Sequence, residues 1–478
     1  MPSAADAAVM VMVLSYVGVA TLFSVHAPHA YMDEVFHFPQ TEHYCEGRWG
    51  VWDPKITTFP GLYVVGTGFG SAVHHALSTF QVNVVAPSLC SLNVLRSINV
   101  LFNIGSLFLI VKLRCMKYAP DAITTGAVHG IVIALFPVHY FFSFLYYTDA
   151  GAVFFVLAMY FFAQRGRADR LRHGAMTMSH LVSAACGAVA VSFRQTNVIW
   201  VLFVLGIEIV HDLESTHDAA LYGNSTETPA SNALGLSTYI SFASLLLKDS
   251  RRLAGLFWPH GSIVVAFGVF LVTNGSITVG DKTNHVATFH VGQLLYFSVV
   301  CATGLGVSCF WNPLEFVMTF AQHFRRRALV SMVLSSGFLI AIYSFSDVHP
   351  FILADNRHFT FYIWNRFFLK HRLMKMVPAP LYAYCLWLLW KHIRTASSPL
   401  RTSVYGLATA LVLIPTPLVE PRYYIVPFVL YHLNADKQPL PQLVLTALCF
   451  GAVNALTIYV FLFKPFRWPD GSEARFMW

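Results

Sequence analysis

The sequence predicts an all-α polytopic membrane protein, and two observations carry that prediction. Of its 478 residues, 56% are hydrophobic and only 11% are charged, against roughly 25% charged in a soluble domain. So few charges cannot cover a water-soluble fold of this length. That excludes a soluble enzyme, a disordered chain and a disulfide-stapled secreted domain. The apolar residues also gather in runs close to the ~20 residues a helix needs to cross a bilayer. Such runs cover 5–25, 94–113, 123–142, 150–164, 175–193, 197–211, 256–274, 289–310, 328–346, 376–391, 402–416, 423–433 and 442–463. With a further run at 59–80 they predict about 12–14 transmembrane helices in one membrane domain, 1–478.

The first run, Ala7 to Phe23, lacks a basic leader region and a small-residue cleavage site, so it reads as a retained first span. Cations orient the rest. Lys112, Arg114 and Lys117 form one cluster, Arg165, Arg167, Arg170 and Arg172 a second, and Arg325, Arg326 and Arg327 a third; all three are expected on the cytoplasmic side. The loops 26–58, 143–149, 275–288, 347–357 and 417–422 then face the lumen. If Asp33 is lumenal and Arg114 cytoplasmic, an odd number of crossings separates them, and 94–113 supplies one. The run 59–80 is therefore expected along the lumenal leaflet, within a first lumenal loop spanning 26–93, the alternative being an ordinary span. The polar segment 212–252 reads as a flexible cytoplasmic loop. Of the sequons, Asn224-Ser225-Thr226 falls in that loop and Asn274-Gly275-Ser276 at a lumenal helix end.

The charge balance, 31 Lys+Arg against 23 Asp+Glu, is net +8. Because the cations lie between apolar runs, no nucleic-acid partner is expected. The eight cysteines show no CxxC pair and no His/Cys metal spacing, so neither a disulfide framework nor a zinc site is expected. Walker A, GxSxG, HExxH and nucleotide-sugar Rossmann patterns are absent. That argues against a cytosolic nucleotide donor and for a lipid-carried one.

Carboxylates gather in the lumenal loops: Asp33, Glu34, Glu42, Glu46, Asp53, Asp149, Asp281, Asp347, Asp355 and Glu420. Charges beside a bilayer are costly and tend to be functional. The adjacent pair Asp33-Glu34 sits just past the first span, where a carboxylate can take a proton from an attacking hydroxyl. The plain alternative is a solvated loop carboxylate or a helix cap. Basic residues recur in the same loops: Lys282 and His285, His349, Arg357 and His358, and Arg422 beside Tyr423 and Tyr424. A fixed anion such as a phosphate explains them; local pairing of Asp355 with Arg357 and of Glu420 with Arg422 is the alternative. Arg194, in Ser192-Phe193-Arg194-Gln195-Thr196-Asn197, either lines a polar cavity or stitches two helices.

At these residues the chain resembles the dolichyl-phosphate-glucose α-1,2-glucosyltransferases of lipid-linked oligosaccharide assembly in the endoplasmic reticulum. The resemblance rests on Met32-Asp33-Glu34-Val35-Phe36-His37 with Pro39-Gln40, on Tyr44-Cys45-Glu46-Gly47, and on Trp52-Asp53-Pro54-Lys55 continuing to Tyr63. It continues through Phe144-Leu145-Tyr146-Tyr147-Thr148-Asp149, Phe193-Arg194-Gln195-Thr196-Asn197 and the stretch Asn274 to Lys282 with His285 and His290. His349 to Phe359, Arg422-Tyr423-Tyr424 and Arg475-Phe476-Met477-Trp478 complete it. Segment 212–252 is not matched to the family, so nothing is carried over to it.

The resemblance implies a GT-C-type fold with short lumenal surface helices in the first loop. It also implies inverting transfer of glucose from dolichyl-phosphate-glucose to the terminal glucose of Glc2Man9GlcNAc2 on dolichyl pyrophosphate. Inversion needs one in-line attack and one base. Asp33 is the expected base, with Glu34 as the second choice or as a sugar-orienting group. Arg357, His358, Arg422 and Lys282 are the expected holders of the donor phosphate. Trp52, Asp53, Tyr63, Asp149, Arg194, Asp281, His349 and Asp355 are the candidate substrate-binding residues. No metal or cofactor is expected. A dolichyl-phosphate-mannose-dependent enzyme of the same architecture and a membrane transporter are the rival readings.

Overall fold

The structure, a computed structural model, describes residues 4–79, 90–173, 176–222, 235–282, 288–306, 310, 313–346, 353–416 and 418–478. Among the described residues nearly all regular structure is helical, and every predicted apolar run contains helix. In chain order the helices are α1 (Ala4–His26), α2 (Glu34–Cys45), α3 (Gly61–Thr79), α4 (Leu92–Cys115), α5 (Ile123–Ala134) and α6 (Pro137–Phe141). Next come α7 (Thr148–His173), α8 (Met178–Phe193), α9 (Val198–Tyr222), α10 (Leu236–Lys248), α11 (Ser250–Asn274), α12 (Gly292–Thr303) and α13 (Pro313–Arg326). The last are α14 (Ala328–Ser344), α15 (Phe359–Arg366), α16 (Ala379–Ala396), α17 (Pro399–Leu413), α18 (Ile425–Asn434) and α19 (Leu440–Phe463). One antiparallel ribbon pairs β1 (Phe466–Arg467) with β2 (Glu473–Ala474).

The chain is a multi-pass membrane protein. Among the described residues six helices are long and apolar enough to cross a bilayer, or seven if one bent pair counts as a span. That pair replaces the continuous span expected over 123–142. Helix breaks before Pro137, which has no N–H to donate and disfavours the helical conformation in the residue ahead of it; the two pieces meet at 69°. The Leu135 carbonyl at the break accepts from Asn454 Nδ2 of α19 at 2.9 Å, so no backbone group is stranded in an apolar setting.

Two compact units emerge. The described residues within Met1–Met116, His139–Thr226 and Leu234–His285 form one, and those within Lys117–Val138 and Val286–Trp478 the other. In the first unit α7 and α8 lie in close contact because small residues let their backbones approach. A Cβ on Gly151 would stand 2.2 Å from the Phe193 ring. Asn99 of α4 is fully buried and donates to the carbonyls of Leu145 at 2.7 Å and Tyr147 at 2.8 Å, fixing the strand-like turn that leads into α7. In the second unit Leu295, Ile342, Ala379 and Tyr382 bring α12, α14 and α16 together, and Phe136 stacks on Phe428 of α18 with centroids 3.9 Å apart.

Two expectations are corrected. Residues 212–252 are not a loop where described: α9 runs on to Tyr222 and α10 occupies 236–248. Asp212, and Glu208 just ahead of the segment, have ion-pair partners on neighbouring helices. Asp212 pairs with Arg170 of α7 at 3.5 Å and with Arg252 of α11 at 2.6 Å, and Glu208 pairs with Arg167 at 3.5 Å. Composition shows the charges but not these partners. The sequon at Asn224 lies outside the described residues.

The cysteines also pair where none were expected to. Cys45, at the end of α2, is bonded to Cys90, just ahead of α4, with Cα atoms 6.5 Å apart. Spacing could not reveal a bridge that closes only when the first loop folds back. Replacing Cys45 with Ser is expected to expose one new reactive thiol, at Cys90, and to cost about 2–4 kcal/mol of stability. Alkylation before and after reduction checks it, and equal labelling of the unreduced and reduced wild type would disprove the bridge.

Candidate active site

The adjacent carboxylates Asp33 and Glu34 part company at the start of α2. Met32 takes a left-handed φ of 54°, and this turns the chain so that the two side chains meet different surroundings. Glu34 has no solvent exposure. Its Oε1 accepts from Arg96 Nε at 2.8 Å and from the Tyr146 N–H at 2.6 Å; its Oε2 accepts from Arg96 Nη2 at 2.5 Å and from the Tyr31 N–H at 3.0 Å. Arg96, 5% exposed on α4, completes its fork by donating to the carbonyls of Ala27 at 2.6 Å and His29 at 3.1 Å. A bidentate, fully hydrogen-bonded pair is the form in which a buried ion pair is tolerated.

Asp33 is partly exposed at the N-cap position, and its side chain makes no capping bond to the helix. Its N–H donates to the Tyr147 hydroxyl at 3.2 Å. One turn on, His37 Nδ1 is hydrogen-bonded to the Tyr63 hydroxyl at 2.8 Å, and the His37 ring stands 6.1 Å from that of Tyr147. Burial raises the Tyr63 hydroxyl well above its ordinary pKa, and the nearby negative charge of Asp33 pushes the same way; Tyr63 stays protonated.

Helix α2 also holds the loop that follows it. Gln40 donates from Nε2 to the Val51 carbonyl at 2.7 Å, and its Oε1 accepts from the Asp53 N–H at 2.9 Å. Trp52 is thereby set edge-on to Tyr63, centroids 5.8 Å apart. The Asp53 carboxylate accepts from the Lys55 N–H at 2.9 Å, a local turn. The stretch after α11 docks on this loop: the Val279 N–H donates to Thr57 O at 3.1 Å and the Asp281 N–H to Pro54 O at 2.9 Å. Gly280, at φ 73°, fits because a Cβ there would stand 2.5 Å from two carbonyl oxygens. Five of the fourteen candidate residues therefore lie on these interlocked segments: Asp33, Trp52, Asp53, Tyr63 and Asp281.

Other nominees are placed as follows. Lys282 donates from Nζ to the Asn274 carbonyl at 2.6 Å, the position of a cation on a helix C-terminus. Asn274 Nδ2 donates to Ser276 O and Thr278 O, each at 2.8 Å, so the sequon asparagine serves as a turn element. Asp149 and Arg194 pair with each other, while Gln195 Nε2 donates to Thr57 O at 2.8 Å and Asn197 Nδ2 to Ala190 O at 2.8 Å. This is the helix-stitching outcome for the Arg194 segment.

In the second unit Arg357 forks onto Asp355, with Nε 2.9 Å from Oδ1 and Nη2 2.7 Å from Oδ2. Burial alone would raise the Asp355 carboxyl, but the hydrogen bonds from Arg357 outweigh it and hold the carboxyl below its ordinary value. His358 Nε2 lies 3.8 Å from Asp355 Oδ2. Arg422 forks onto Glu420, at 3.0 Å from Nε and 2.6 Å from Nη2. Both local pairs weighed from the sequence therefore form. His349 lies outside the described residues. Among the described residues no group of three or more His, Cys, Asp or Glu side chains is placed to hold a metal ion.

Sequence reasoning missed Arg96, His37 and Tyr147. Arg96 left a signal, a lone cation at the start of an otherwise apolar run. Its position predicts a division between the acidic neighbours. Glu34→Gln leaves Arg96 buried against a neutral partner and is expected to cost about 3–5 kcal/mol. Asp33→Asn is expected to stay within about 0.5 kcal/mol of wild type. Thermal unfolding of the two purified variants checks this; equal destabilisation would refute the division.

The DIE2/ALG10 family matches residues 27–433. A mouse protein named Dol-P-Glc:Glc(2)Man(9)GlcNAc(2)-PP-Dol alpha-1,2-glucosyltransferase is 34% identical, covering 95% of this chain and 94% of its own. The rat protein of that name is 35% identical over 95% of this chain and 94% of its own. The Arabidopsis thaliana protein is 33% identical over 94% and 95%. No solved structure gives a match.

Proposed function

The chain belongs to the DIE2/ALG10 family, and from that membership we infer that it is a dolichyl-phosphate-glucose-dependent α-1,2-glucosyltransferase. It transfers glucose from that donor to the terminal glucose of Glc2Man9GlcNAc2 on dolichyl diphosphate. The observation that carries this is the near full-length match to animal and plant enzymes of one name. Their names specify glucose, which sets aside the mannosyl donor, and a transferase, which sets aside the transporter.

The enzyme works in the endoplasmic reticulum membrane with its site on the lumenal side. The Cys45–Cys90 bridge supports this orientation, because disulfides persist in oxidising compartments. It lies in the loop that the cytoplasmic cation clusters assign to the lumen.

Asp33 is the base. Glu34 is committed to Arg96 and two backbone N–H groups, which leaves Asp33 as the acidic neighbour with access to solvent. The acceptor 2-hydroxyl oxygen attacks the donor C1 as its proton passes to Asp33. The C1–O bond to phosphate breaks on the opposite face, and dolichyl phosphate leaves with the electron pair. Trp52 and Tyr63 offer aromatic faces to sugar. Arg357, His358 and Arg422, all in the second unit, hold the donor phosphate; the carboxylates beside Arg357 and Arg422 keep each guanidinium fork in one orientation. With cations in these roles the reaction needs no metal or cofactor.

Asp33→Asn is expected to lower kcat by ~10²–10⁴-fold while the protein stays folded. Transfer to a diglucosylated lipid-linked acceptor, with and without chelator, tests this; near-normal turnover of the variant would remove Asp33 from its role, and inhibition by chelator would remove the metal-free reading. Arg357→Ala is expected to raise the KM for dolichyl-phosphate-glucose more than that for the acceptor, and steady-state kinetics with each substrate varied in turn decides it.

A further inference from the structure

After α19 the chain folds back through β1 and β2, and its residues 477 and 478 run along the stretch that opens α15. The Met477 N–H donates to Arg357 O at 3.0 Å and the Phe359 N–H to Met477 O at 3.2 Å, a parallel bridge across His358. His358 Nδ1 is 2.7 Å from Trp478 O. A carbonyl only accepts, so Nδ1 carries the proton, and Nε2 is turned toward Asp355. Trp468 grips the same stretch. Its Nε1–H donates to Asn356 Oδ1 at 3.0 Å, and its ring centroid lies 4.8 Å from the Arg357 guanidinium carbon. Arg475, 8% exposed, anchors the strap by donating to the last carbonyls of α19, Phe461 O at 2.8 Å and Leu462 O at 3.1 Å.

Three consecutive residues, Asn356, Arg357 and His358, are thus each held by the segment 466–478. The same segment reaches an apolar cavity of about 500 Å³, lined among others by Tyr296, Phe359, Trp364, Tyr382, Tyr424 and Trp478. The Trp478 ring meets Phe359 edge-on, centroids 5.4 Å apart. Pro421, next to Arg422, is also in the lining. Residues adjoining two of the candidate phosphate-binding groups therefore share one apolar chamber, the arrangement that suits an apolar chain ending in a single phosphate.

We propose that Trp478 is a positioning residue for the polyisoprenyl-phosphate donor, its carbonyl orienting His358 while its ring forms a wall of the chamber that takes the isoprenoid chain. This rests on the donor reading under Proposed function. The purified full chain is assayed for glucosyl transfer with dolichyl-phosphate-glucose and diglucosylated acceptor varied separately. Trp478→Ala is expected to raise the donor KM roughly 10-fold, with kcat and acceptor KM within about twofold of wild type. Trp478→Phe restores most of the affinity. His358→Ala gives a donor defect of its own that adds to that of Trp478→Ala, because the alanine variant keeps the main-chain oxygen that orients His358 and loses only the ring.

An unchanged donor KM in Trp478→Ala, or equal rises in both KM values, would overturn the proposal while leaving the transferase reading intact. Failure of wild type to transfer glucose from dolichyl-phosphate-glucose would overturn the donor reading itself. If Trp478→Ala does not fold, Trp478→Leu, which keeps apolar bulk without the ring, carries the same comparison.

Discussion

A carboxylate sealed from water is stable only if other groups replace its hydration, and Glu34 is sealed completely. Arg96 supplies two charge-assisted bonds, and the N–H groups of Tyr31 and Tyr146 supply two more. The consequences spread well beyond the pair. Arg96 ties the exit of α1 to α4 through Ala27 and His29. Glu34 ties the start of α2 to the turn before α7. Three stretches far apart in sequence, 27–34, the start of α4 and the turn before α7, are therefore registered on one ion pair, and the position of Asp33 follows from theirs. The Cys45–Cys90 bridge constrains the other end of α2, so the helix carrying the proposed base is held at both ends.

That construction explains why two adjacent acids suit one site. One carboxylate builds the scaffold and is spent on it. Its neighbour is carried by that scaffold and stays partly exposed, near enough for its charge to act on Tyr63, whose ring meets Trp52 edge-on. Tyr63 is itself fixed by His37, which projects from the next turn of the same helix. Positioning of this kind is what a single-base, in-line displacement requires, since misplacing the reacting atoms by about an ångström costs as much as removing a useful group.

The fold was largely legible because hydropathy reports directly on burial in a bilayer: where described, each predicted run from 5–25 to 442–463 contains helix. Reading failed where a residue's meaning depended on its partner. The charges of 212–252 suggested loop, yet Asp212 meets Arg170 and Arg252 across three helices. Cys45 and Cys90 are 45 residues apart and resemble scattered thiols until the first loop closes. The break at Pro137 was open to inspection, since proline's effect on the residue before it is local, but the apolar run hid it.

By itself the sequence settles the membrane class, the runs that become helices, the family, and the two acids and several basic residues from which a site would be built. Packing alone decides which partners each of those residues has. Asp33 and Glu34 are neighbours of like chemistry, and no local property separates them. Arg96, 62 residues away, does so by binding Glu34 and burying it, while Asp33 stays partly exposed. Arg357 and Arg422 likewise have their forks fixed by carboxylates two residues back. That pairing was visible in sequence as a possibility, and it is realised because the backbone turns bring the charges within hydrogen-bonding reach. Charge, burial and hydrogen bonding are properties of distance between side chains, and the order of residues along a chain contains those distances only through the fold.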